Sequence, residues 1–163
     1  MTAPNIHDPF ATIDPLIVFM DAHRLLLLAI REIEGEHLDA ALADRGTVRD
    51  AIERVRARDT SVVVALRAVA GDDRDGAQRH LAIAMSDDPR SESDRDATDV
   101  ISSMHDAHEA FMEAYGMFDL ARLDEVIAIT DGTITLRHLL IEHAMREGAE
   151  AYAIAATLGR TID

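Results

Sequence analysis

Thr135-Leu-Arg-His-Leu-Leu140 opens the last long helical stretch of the chain, which runs on through His143, Arg146 and Glu150 to Leu158. Counting about 100° per residue, Leu139, His143, Arg146 and Glu150 fall on one stripe. Leu140, Ala144, Ala151, Ile154 and Leu158 centre roughly 90° away on a second, apolar stripe. The polar stripe is either the solvated side of this helix or the wall of a cleft. Both readings stand at this point, and the rest of the chain decides what such a helix could pack against.

Working backwards, residues 96 to 115 predict a helix with Ile101, Met104, Phe111 and Tyr115 on one seam. Leu120 to Ile127 reads as a short connecting segment, and Thr130 to Thr133 as a turn. Residues 86 to 93 are polar and contain a proline, which suits a crossover loop. A short helix is expected over 76 to 85. Before it, Val48, Ile52, Val55, Val62, Leu66 and Val69 recur at helical spacing, and this period outweighs the β-branched run Val62-Val-Val64. Thr47 with Asp50 resembles a capping box at the start of that helix. Another turn of helix fits between Glu36 and Ala43.

The first helix starts at Asp14-Pro15, a cap residue followed by proline at the first helical position. Its apolar residues fall on two seams: Leu16, Met20, Leu27 and Ile30, then Phe19, Ala22, Leu26, Ala29 and Ile33. A helix apolar on so many sides needs more than one partner. A homodimer through this helix is therefore expected, with residues 1 to 13 irregular and residues 1 to 163 forming one domain.

Composition narrows the function. The net charge is −15 and all basic residues are arginine, so a surface fit for nucleic-acid phosphate or anionic lipid is not expected. With no cysteine, thiolate chemistry and Cys-ligated metals are excluded. No apolar run reaches the roughly 18 residues of a membrane span, and the start lacks a signal-peptide pattern, so a cytoplasmic protein is expected. No hydrolase elbow surrounds Ser61, Ser102 or Ser103, and no glycine-rich phosphate loop is present.

Gly-Thr-Val-Arg-Asp (46 to 50), Thr-Leu-Arg-His-Leu-Leu (135 to 140) and Met104-His-Asp-Ala-His-Glu-Ala-Phe111 together resemble the DinB-like helical bundles. The likeness extends from Leu16 to Leu158. It implies an all-α, up-down four-helix bundle with short additional helices, and metal-dependent hydrolase or transferase chemistry. It also implies three metal-binding histidines, one following the Val-Arg-Asp segment and two spaced four apart on the last helix. The matching positions here are Arg54, Arg146 and Glu150. Arginine offers no lone pair to a metal. The expectation is thus a degenerate metal site with no cofactor, in a non-catalytic protein or one binding a small, anionic molecule in a cleft lined by Arg54, Arg146 and Glu150. Glu150 would tie helices together by pairing with Arg54, Arg146 or both.

An alternative stands beside it. His143 and Glu147 are four apart and share a helical face, so they could hold a divalent metal such as Zn, Ni or Mn, with Asp50 or Asp59 from the second helix. His23 and His108 each fall on an apolar seam, as structural residues or as ligands of a hemerythrin-like metal bundle.

Overall fold

The computed structural model describes residues 8–90, 99–129 and 132–163. The sequence readings on residues 1–7, on the end of the 86–93 loop and on positions 130 and 131 lie outside them. Six α-helices are present among the described residues: α1 (Pro15–Ala29), α2 (Gly35–Leu38), α3 (Val48–Ala70), α4 (Arg74–Ala84), α5 (Val100–Met117) and α6 (Leu136–Thr157). A 3-10 turn at Leu120–Arg122 precedes two strands, β1 (Val126–Ile129) and β2 (Gly132–Thr135). None of these helices is long and apolar enough to cross a membrane.

Local signals account for the helix starts. Asp14, Thr47, Asp73, Asp99 and Thr135 each accept a backbone N–H of the first turn through the side chain. At Thr47 the box is reciprocal, with Asp50 accepting from the Thr47 backbone. Val62-Val-Val64 lies inside α3.

The expected up-down four-helix bundle is corrected on two counts. First, the fold needs six helices and an antiparallel hairpin, in which Val126 pairs with Thr135 and Ile129 with Gly132. The β-branched residues 126, 127, 129 and 133 to 135 favour that extended ribbon over the plain connection read from the sequence. Second, the long helices do not alternate in direction. Phe19 stacks on His143 and His23 bonds Glu147, so α1 and α6 run parallel. Tyr115 reaches Asp14 while His108 stacks on His23, which sets α5 antiparallel to α1. Arg54 meets Glu150 while Asp59 meets His143, which sets α3 antiparallel to α6. Hence α3 and α5 are parallel neighbours, and no short loop can join them. The 11 residues of α4, about 16 Å of helix, carry the chain back along α3.

The core is split. One apolar cluster gathers Phe19, Leu66, Leu81, Phe111, Leu139 and Leu140, among others. A second gathers Leu26, Ile52, Val55, Met104, Ala151 and Ile154. Between Val55 and Val62 on α3, and between Ala144 and Ala151 on α6, lies a buried polar layer: Arg58, Asp59, Glu147 and Glu150, with Arg54, His143 and His23 beside them. Charged groups are almost never fully buried without a partner, so this layer is where function is sought.

Candidate metal centre

Asp59 sits on the same α3 seam as Val55, Val62 and Leu66, at the position where another apolar residue would continue the pattern. Glu147 does the same on the Leu140, Ala144, Ala151, Ile154 stripe of α6, and His143 lies one turn before it. Packing α3 against α6 therefore drives three polar side chains into the interior. Asp59, His143 and Glu147 are each fully enclosed. One potential ligand atom from each lies within 4.8 Å of the other two.

The geometry inside this cluster is that of ligands rather than of a closed hydrogen-bond network. His143 Nε2 is 2.9 Å from Asp59 Oδ1, yet the two do not align as donor and acceptor. Among the described residues, both Asp59 oxygens, both His143 nitrogens and Glu147 Oε2 lack a hydrogen-bond partner. Such atoms are costly in a dry interior unless something charged satisfies them. Two carboxylates and one imidazole carry two negative charges, which a divalent cation neutralises. The donor set of oxygen and nitrogen suits Zn, Mn or Fe. The residues present fit such an ion.

Glu147 divides its oxygens. Oε1 is held 2.9 Å from His23 Nδ1, and Oε2 remains free for the cluster. That is how an outer imidazole orients a ligating carboxylate. Burial raises the Glu147 carboxyl well above the usual range; the Asp59 carboxylate adds to the rise, opposed by His143 and Arg58. A cation bound between the two carboxylates would oppose that rise.

An aromatic stack closes one side. His23 and His108 lie ring on ring, with centroids 3.3 Å apart, and Phe19 stacks on both His108 and His143. Desolvation lowers the pKa of both histidines, that of His108 to about 4 with the help of His23. Outside the stack, Met20, Leu27, Leu28 and Met112 line an open groove of about 440 Å³ with His23 and His108 at its wall.

The other residues singled out from the sequence go elsewhere. Glu150 is gripped by Arg54 through Nε (2.8 Å) and Nη2 (3.0 Å), and Arg45 reaches the same carboxylate at 3.0 Å. Arg54 Nη1 donates to the Arg45 carbonyl, so this guanidinium is fully engaged. Arg146 is half-buried and, among the described residues, approaches the carboxylate of Asp87 at 3.8 Å. Asp50 caps α3 and pairs with Arg90, away from His143 and Glu147. The helix-two carboxylate that joins them is Asp59.

The expectation of a metal-free, non-catalytic bundle with a degenerate site and no cofactor is overturned by this cluster. Arg54, Arg146 and Glu150 do not form one site: Arg54 and Glu150 pair with each other, and Arg146 lies apart beside Asp87. An ion-capable set is nevertheless assembled beside them, by Asp59, His143 and Glu147. Arg58, also buried, had no place in the sequence reading. Its signal was available: like Asp59, it lies in the gap between Val55 and Val62. Comparison with protein families, with curated proteins and with solved structures finds no match for this chain.

Proposed function

We propose that this protein binds one divalent metal ion through Asp59, His143 and Glu147 and uses it in hydrolase or transferase chemistry. The observation that carries the reading is the set of five buried ligand atoms with no hydrogen-bond partner. A bound ion would supply Lewis acidity to a substrate. His23 holds Glu147 in its ligating orientation, and Phe19 shields the His143 side from water. The DinB-like sequence resemblance supports the same class of chemistry, with the centre shifted by one turn of α6.

A second reading is a dinuclear, hemerythrin-like centre that recruits His23 and His108. It is favoured by one observation, the partnerless buried Nδ1 of His108. Metal analysis of untagged protein, prepared without chelator, separates the two. One ion per chain, lost in His143→Ala, supports the mononuclear centre. Two ions per chain would replace it with the dinuclear one, and none after incubation with Zn2+, Mn2+ and Fe2+ would sink both.

The same proposal includes self-association through α1. Ile17, Met20 and Leu27 stay exposed on it, while Phe19, Ala22, Leu25, Leu26 and Ala29 enter the core. Light scattering is expected to return twice the chain mass; a strict monomer would remove this part.

A further inference from the structure

Between α3, α6 and the segments just before α3 and just after α4, Arg45, Arg58, Asp87, Arg146, Ala149 and Glu150 line a pocket of about 320 Å³ beside the polar layer. Its charge is opposite to that of the molecule. Arg45, Arg58 and Arg146 converge here against the carboxylates of Glu150 and Asp87, leaving one positive charge in excess in a chain of net charge −15. Glu150 is already committed to Arg54 and Arg45. Asp87 is fully exposed and reaches Arg146 only at 3.8 Å. Neither carboxylate satisfies the cluster.

Arg58 is the anomaly. Its side chain is 1% exposed, its Nε donates to the Ala84 carbonyl at 2.9 Å and its Nη2 leans on the Ser86 carbonyl at 3.4 Å. Nη1 has no partner. A buried guanidinium with a spare donor, in the wall of an open pocket, lacks one acceptor. Guanidinium forks match the oxygens of carboxylate and phosphate.

We propose that this pocket binds a small oxyanion, a carboxylate or phosphate group, held by Arg58 from its buried wall and by Arg146 at its rim. The proposal stands on the pocket itself and does not require the metal ion. Arg58 also acts electrostatically on Glu147, so the anion would sit next to the ion centre, where a substrate's charged group would be anchored while its remainder approaches the layer.

Calorimetric titration with inorganic phosphate and, separately, with acetate tests it, on protein as purified and after chelation. At least one of the two is expected to bind. Arg146→Gln, at a half-buried position that does not threaten folding, should weaken that binding about tenfold, the loss of one charge-assisted hydrogen bond. Arg58→Gln, where circular dichroism shows it folded, should abolish it. Failure of both anions to bind at tens of millimolar would overturn the proposal. So would binding that Arg146→Gln leaves unchanged, or binding lost on chelation, which would put the anion on the ion. Metal content, read separately, reports on the ion centre whichever way the anion result falls.

Discussion

Two turns of the same helix pair handle buried charge in opposite ways. Where Arg54 faces Glu150, the carboxylate receives two parallel hydrogen bonds and a third cation at 3.0 Å. Little is left over. Where Asp59 faces His143 and Glu147, about a turn along α3, five equally buried oxygens and nitrogens find no hydrogen-bond partner among the described residues. The first arrangement is complete within the chain and ties α3 to α6. The second is complete only with something added. Buried polarity alone therefore does not mark a site; buried polarity left unsatisfied does.

Breaking the closed end should have the largest effect. Glu150→Ala would strand the Arg54 guanidinium in the interior, and is expected to cost about 3–5 kcal/mol in urea unfolding. A loss below 1 kcal/mol would mean that the pair is not a tie, and the contrast would collapse. At the open end the effect should depend on the ion. Adding the binding metal at roughly a hundredfold excess over its Kd should stabilise the chelated protein by about 2.7 kcal/mol. Asp59→Asn should remove that gain. In the chelated protein the same change removes a buried carboxylate whose two oxygens accept no hydrogen bond among the described residues, and should be close to neutral. A large loss without metal would assign Asp59 to the closed class.

Two smaller effects sharpen the picture. Gly148 lies in α6 against α1, and a Cβ there would meet Ala22 Cβ at 3.8 Å, an ordinary contact. Gly148→Ala should therefore stabilise by about 0.5–1 kcal/mol through helix propensity, read as a raised Tm. A loss would show that α1 and α6 pack more tightly than that distance allows. The smallest effect is acid sensitivity beside the arginine cluster. The hydrogen bond from Arg90 holds the Asp88 carboxyl down to about 2, from 3.8. Because the folded value is depressed, its stabilisation is present above about pH 4 and lost as pH falls toward 2. Urea midpoints of wild type and Asp88→Asn should differ at neutral pH and converge near pH 2.

Much of the architecture was legible from local chemistry. Asp14-Pro15, Thr47 with Asp50, and Thr135 announced three helix starts, because caps act within a few residues. The direction of the helices was not legible. Nothing within a helix records whether its neighbour runs parallel, and the need for α4 as a return path appears only once α3 and α5 lie side by side. The hairpin was missed for a related reason. Val126 to Thr135 has the β-branched content of a ribbon, but its strands are four residues each, too short for periodicity to show.

The metal centre shows the same divide. The sequence by itself determined that His143 and Glu147 share a face of α6, since spacing of four does this in any helix. It also placed Asp59 and Arg58 in the gap of an apolar seam. Only the tertiary structure decided that this face is buried, that Asp59 rather than Asp50 meets it, and that Arg54 spends itself on Glu150. The reason is physical. A helix period fixes angles within one element, whereas ligand atoms within 4.8 Å of one another depend on how far α3 slides along α6 before their apolar clusters lock.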